Sequence, residues 1–144
     1  MTISEKQAEL VEQFKDLNDW EDRYSLIIKF GRELPELPEE EKNEKNKLDG
    51  CQSQVWIKPE FKDGKLLIHA DSDAMIVKGL IAMLIKVYSG HTPDEILTSP
   101  PEFLKEIGVD THLSPTRKNG LSAMLKQIQM YAIAYKALAA KQGN

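Results

Sequence analysis

The chain has 144 residues, 41% hydrophobic and 29% charged, which suits one core and leaves no room for a second sizeable domain, so residues 1–144 are expected to form a single domain. Nineteen lysines and arginines against 23 aspartates and glutamates give a net charge of -4, a field that disfavours the nucleic-acid backbone. The apolar stretch from Gly79 to Ile85 is too short to span a bilayer and the charged N-terminus does not read as a signal, so the expectation is a cytoplasmic protein with no membrane and no nucleic-acid partner.

Ser4-Glu5-Lys6-Gln7 has capping-box spacing, and Leu10, Val11, Phe14 and Leu17 recur at helical intervals, predicting a first helix that ends near Asn18. Asp19 is placed to cap a second helix, with Trp20, Tyr24, Ile27, Ile28 and Gly31 on one face and a stop at Leu34-Pro35-Glu36-Leu37-Pro38. The two helices read as a hairpin. Glu39 to Lys47 holds no apolar residue and is expected to be a solvated turn or a mobile loop outside the core. Strand pattern over Gln52 to Lys58, the turn signal Asp63-Gly64 and a returning strand over Lys65 to Ala70 predict an antiparallel hairpin. A lone hairpin is marginal, so it needs helices or a third strand that the pattern does not place.

Ser72 or Asp73 is expected to cap a central core helix carrying Ile76, Val77, Leu80, Ile81, Leu84, Ile85 and Tyr88. Thr92-Pro93-Asp94-Glu95 is a capping box for a short helix ended by Pro100 and Pro101, and a short segment around Phe103 to Ile107 follows. Ser114-Pro115 opens a last helix with Leu121, Met124, Leu125, Ile128, Tyr131, Ala132, Tyr135 and Leu138 on one face. The expected class is α+β, a small antiparallel sheet packed against helices.

One cysteine, Cys51, excludes an internal disulfide, and with three scattered histidines it cannot build a structural zinc site or a cysteine-ligated cluster. Cys51 follows Gly50 after a polar stretch and opens a strand, an address suited to function; free cysteine is also among the most buried residue types, so an inert packed thiol stays open. Alternation places Cys51 and Ser53 with Val55 and Ile57, and Gln52, Gln54 and Trp56 opposite, which would shelter the thiol. A second candidate is His112 to Arg117, where an imidazole, two hydroxyls and a guanidinium gather at a helix start; the plain alternative is that Ser114 caps and Arg117 is solvated. Asp71-Ser72-Asp73 reads as a cap before a carboxylate pair, His69 and His91 as structural or solvated, and Met124 and Met130 as core or gap-filling residues. There is no phosphate or dinucleotide loop, so no cofactor and no metal are expected.

Gly50-Cys51-Gln52-Ser53-Gln54-Val55-Trp56, Asp71 to Gly79 and His112 to Arg117, with Trp20 to Tyr24 and Leu34 to Pro38 in the same order, resemble the SufE family of sulfur-acceptor proteins. The resemblance implies a fold like the iron-sulfur scaffold proteins IscU and NifU. It also implies a cysteine desulfurase partner, SufS-like or CsdA-like, whose own pyridoxal phosphate does the carbon chemistry. Cys51 would take sulfane sulfur as a persulfide, stimulate the partner as a sulfurtransferase-type carrier, and pass sulfur to a downstream iron-sulfur scaffold; a homodimer is possible. Such exchange needs one nucleophilic thiol and no metal. Gly50, Gln52, Ser53, Gln54, Asp73, His112 and Arg117 would then meet the partner, Arg117 by holding carboxylates or anionic sulfur. The rival readings are a cluster-assembling scaffold, for which one cysteine is too few ligands unless chains combine, and a non-catalytic adaptor in which Cys51 only packs.

Overall fold

The computed structural model describes residues 1–49 and 53–141. Its helices are α1 (Ile3–Phe14), α2 (Trp20–Glu33), α3 (Met75–Tyr88), α4 (Pro93–Leu97), α5 (Glu102–Ile107), α6 (Val109–His112) and α7 (Pro115–Lys141); strands β1 (Val55–Lys62) and β2 (Lys65–Ser72) lie between α2 and α3. The α+β class stands. Local capping chemistry sets several boundaries. Asp19 accepts the Glu21 N–H and opens α2, and Thr92 and Glu95 form the reciprocal capping box of α4. The first helix begins two residues earlier than its sequence pattern suggests, because Thr2 and Glu5 close a capping box of the same spacing, and it ends at Phe14 rather than near Asn18.

The α1–α2 hairpin is also corrected. α1 packs chiefly on α5 and α3, while α2 lies along α3; Phe14 meets Phe30 with ring centroids 6.1 Å apart. Arg23 explains the arrangement: its guanidinium donates to the carbonyls of Phe14, Leu17 and Ile107, tying the ends of α1 and α5 to one point on α2. α3 is the central element, buried along Val77, Leu80, Ile81, Met83, Leu84, Val87 and Tyr88, each large side chain worth about 1.5–3 kcal/mol of burial. Ile76 and Ile85 are only half-buried. α2 and α3 cross at Gly31 and Gly79, where a Cβ on Gly31 would come within 2.8 Å of the Gly79 nitrogen and one on Gly79 would overlap the Ile27 carbonyl.

The hairpin turns at Asp63-Gly64, both with positive φ (54° and 76°), as a two-residue turn of this hand requires, and pairs Lys62 with Lys65 through Val55 with Ser72. Val55, Ile57, Leu66, Ile68 and Ala70 face the core. Both sheet edges are covered without a full third strand: Lys47 bridges Trp56 outside β1, and His91 bridges Leu66 outside β2. Segment 39–47 is the largely exposed turn its composition predicts, and it is also tied to the sheet edge. It starts with a 3-10 turn at Glu39–Glu41 and ends on the sheet edge, with Asn46 buried.

α7 departs from its sequence pattern in its second half. Gly120, Leu121, Met124, Ile128 and Ala132 are buried, but Met130 and Leu138 are exposed, because the helix outruns the core while its heptad-like pattern continues. Among the described residues no helix is long and apolar enough to cross a membrane.

Candidate functional site

Cys51, with Gly50 and Gln52, lies outside the described residues; the structure describes what holds the chain on either side. On the incoming side the Leu48 N–H donates to the Val55 carbonyl at 2.8 Å and the Ile57 N–H to the Asn46 carbonyl at 2.9 Å. Asn46 is fixed in turn, its side-chain amide donating to the Glu41 carbonyl at 2.8 Å, and Glu41 pairs with Lys58 at 2.8 Å. The Leu48–Val55 bond thus ties together the two described stretches on either side of Cys51.

The outgoing side is held by Ser72 and Asp73. Asp73 Oδ1 accepts the Gln54 N–H at 3.0 Å, the Ser72 hydroxyl donates to the Gln54 carbonyl at 2.8 Å, and the Asp73 N–H donates to that carbonyl at 3.3 Å. Neither residue is the N-cap of α3, which is Ala74, although the Ser72 hydroxyl accepts the Ala74 N–H at 3.2 Å just before the helix; both residues are also engaged across the sheet end. The strand starts at Val55 and Ser53 lies in a bend before it, so the alternation does not extend back to Ser53; the expected sheltering of Cys51 falls outside the described residues.

Asp71 anchors the same corner. It is 3% exposed, accepts the N–H groups of Leu37 at 3.1 Å and Ser72 at 2.8 Å, and pairs with Lys78 at 3.2 Å and Lys42 at 3.5 Å. Burial works to raise its pKa, but the two N–H groups and Lys78 outweigh it and hold the carboxyl below the ordinary aspartate value. One carboxylate thereby ties the Leu34–Pro38 segment, the chain leading to Cys51 and α3 together.

Ser53 and Arg117 come together. They line a cavity of about 160 Å³ with Ala74, Ile76, Ser114 and Thr116. Ser114 accepts the Arg117 N–H at 3.4 Å, and the exposed Arg117 has no ion pair among the described residues. Gln54 is exposed beside them. His112 does not line this cavity. Its ring stacks on Trp20 with centroids 3.9 Å apart, Nδ1 lies 3.1 Å from the Gly108 carbonyl, and its own carbonyl accepts the Tyr24 hydroxyl at 2.8 Å, which is packing work. Sequence reasoning missed Met75, 56% exposed in the first turn of α3 next to Asp73 and Ala74; an apolar residue before the buried face of a helix was the available signal. A larger cavity, about 610 Å³, lies between Leu34–Pro38 and the strands and is lined by neither Leu48 nor Gln54, so size does not locate the site. Among the described residues no group of three histidines, cysteines or carboxylates could hold a metal ion.

The SufE family model, an Fe-S metabolism associated domain, matches residues 8–132, a span that holds every candidate residue from Gly50 to Arg117. An uncharacterized SufE-like protein of Synechocystis sp. is 39% identical over 135 residues, covering 94% of this chain and 85% of that one. An uncharacterized SufE-like protein of Rhizobium meliloti is 37% identical over 129 residues, covering 86% of this chain and 92% of that one. The solution structure of a hypothetical protein from Thermus thermophilus matches with a TM-score of 0.74 at 26% identity, over 93% of this chain and 96% of that one.

Proposed function

The chain belongs to the SufE family, which gives it a role in iron-sulfur metabolism, and from that premise we propose that Cys51 is a sulfur acceptor for a cysteine desulfurase. The Cys51 thiolate attacks the terminal sulfur of the persulfide on the desulfurase's own cysteine. A new S–S bond forms on Cys51, the old one breaks, and the partner's thiolate leaves to take up the proton that Cys51 gave up, with no net oxidation or reduction. Sulfur then passes to a downstream iron-sulfur scaffold. Proteins of the family carry no cofactor of their own, and the pyridoxal phosphate belongs to the desulfurase, SufS-like or CsdA-like.

The observation that supports this reading is that the chain is held on both sides of its one cysteine, at Leu48 and at Gln54, and that Ser53, two positions after Cys51, lines a cavity with Arg117. A free thiol with a pKa of about 8.5 is only ~3% ionised at neutral pH, and a neighbouring cation favours the thiolate. Arg117 is the cation for that task or for a partner carboxylate; Ser53 and Met75 border the contact, Asp73 and Gln54 hold the loop's root, and Gly50 and Gln52 flank the thiol. His112 supports the helix start through Trp20. The same reading takes residues 1–144 as one SufE-like domain, similar to IscU and NifU, working in the cytoplasm, with a homodimer as an option.

The test is intact mass after incubation with a cysteine desulfurase, pyridoxal phosphate and cysteine. Wild type gains one sulfur atom, mapped to Cys51, and Cys51→Ser does not. Equal absence of the added sulfur in both proteins while the desulfurase turns over refutes the acceptor role, and a cluster chromophore after iron and sulfide addition would favour a scaffold instead.

A further inference from the structure

A cleft of about 410 Å³ opens between segment 45–49, which precedes Cys51 in the chain, and the middle of α7. Its rim carries Lys45, Lys47 and Lys126 against one carboxylate, Asp49, and its floor includes Met130 and Tyr131. This local balance runs against the chain as a whole, in which 23 acidic residues outnumber 19 basic ones. Among the described residues none of the three lysines has an ion pair, whereas nearby Lys42, Lys58 and Lys78 are all paired. The apolar floor continues outward: Met130 is 52% exposed and Ile133, three residues on, is 57% exposed. These side chains occupy one helical face with Lys126, at the three- and four-residue spacing that puts residues on one side of a helix.

We propose that this cleft docks an acidic segment of the protein that exchanges sulfur with Cys51, a segment carrying an apolar side chain that seats on Met130 and Tyr131. This rests on the acceptor reading only for the identity of that partner. Three unpaired cations around an apolar floor complement a run of carboxylates interrupted by one apolar residue, the cations steering approach and the floor supplying residence. The site is also contiguous with the chemistry. Leu48 and Asp49 line it, and Asp49 is two residues from Cys51, so a segment lying in the cleft brings its owner within about 7 Å of chain from the thiol. α7 joins the two sides of the loop, with Arg117 bordering one cavity and Lys126 the other. Nucleic acid is the weaker occupant because the remaining surface is net acidic.

The probe is a short blocked peptide of glutamates and aspartates around one central leucine, titrated into isotopically labelled full-length protein, with its lysine counterpart as control. Amide shifts are expected at 45–49 and 123–131, with affinity falling as salt rises from about 50 to 200 mM. Lys45→Glu, Lys47→Glu and Lys126→Glu together should weaken the peptide about tenfold or more, each exposed pair being worth a fraction of a kcal/mol, while Lys62→Glu, Lys65→Glu and Lys105→Glu together should not. Lys126→Glu alone, on an exposed helix position, gives a partial loss even if the triple variant folds poorly. Equal losses in both triple variants, shifts scattered over all lysines, tighter binding of a single-stranded oligonucleotide, or dimerisation abolished by Met130→Glu would each overturn the assignment. Cys51 takes no part in peptide binding, so failure of sulfur transfer with the cleft intact identifies the acceptor reading as the one that fell.

Discussion

The α2–α3 crossing and the outgoing root of the Cys51 loop solve opposite problems with opposite means. At the crossing two glycines let backbone meet backbone, with no side chain between and no room for one. At the root the contacts are three hydrogen bonds among Ser72, Asp73 and Gln54 close to solvent, where water competes for every bond. Close packing yields a joint that cannot adjust, whereas exposed polar bonds yield a latch that can be exchanged at small cost.

Gly79→Ala tests the first half of that contrast most severely. The added methyl must displace the Ile27 backbone, and a loss of about 3 kcal/mol or more is expected in thermal or urea unfolding; an unchanged midpoint would mean the helices can slide apart freely. Asp71→Ala comes next, at about 2–3 kcal/mol, because it strands the buried Leu37 N–H and leaves Lys78 without its carboxylate, and Asp71→Asn should recover part of it. His91 probes the boundary between the two regimes. It is 5% exposed, its Nε2 has no partner among the described residues, and its pKa is lowered by burial and Lys6 against the opposing pull of Glu95. A histidine whose folded pKa is depressed takes up its proton first in the unfolded chain, so stability falls as pH drops below the ordinary value near 6.5 and stops falling once the folded pKa is passed. Denaturant midpoints between about pH 7 and 5 should show that decline in wild type and less of it in His91→Leu.

The latch itself is the subject of the smaller effects. Asp73→Ala should cost about 1 kcal/mol or less in global stability, yet speed hydrogen exchange at the Gln54 amide; unchanged exchange would deny the latch. Arg117→Ala should shift stability by no more than about 0.5 kcal/mol while weakening desulfurase stimulation, and the adjacent Lys118→Ala should do neither. Equal stimulation by both variants would return Arg117 to the solvent.

What could be read beforehand follows the range of the interactions. Thr92 with Glu95, Asp19 with Glu21 and Asp63-Gly64 act within a few residues, and those elements fall where their patterns put them. The α1 cap slipped because Thr2–Glu5 and Ser4–Gln7 have the same spacing, and only the folded geometry chooses between them. Asp73 reads locally as a helix cap, but its partner Gln54 is nineteen residues away, and no local pattern announces such a bond. Arg23 is the same case on a larger scale, reaching Ile107 across 84 positions. Periodicity placed Leu138 on the apolar face of α7, where it is exposed, because it reports which residues share a face and is silent on whether anything lies opposite that face; Met130 was read as core or gap-filling from the adaptability of methionine alone and is exposed too. The motif that carries Cys51 was legible as a resemblance, and the family match over residues 8–132 bears out the family.

The bond from Leu48 to Val55 also sets a tether length. Three covalent steps separate Leu48 from Cys51, and an extended chain gains at most about 3.6 Å per residue. With the sheet edge intact, Cys51 therefore cannot stand farther than about 11 Å from the Leu48 anchor. On the acceptor reading, a sulfur donor or recipient must bring its reacting atom within about 5 Å of that radius, the reach of the cysteine side chain plus one S–S bond, or else strip the Lys47–Trp56 bridge from the sheet edge and leave β1 with an unpaired flank. The depth of active site this protein can serve is thus limited by a count of residues, and lengthening the loop between Asp49 and Gly50 would extend it.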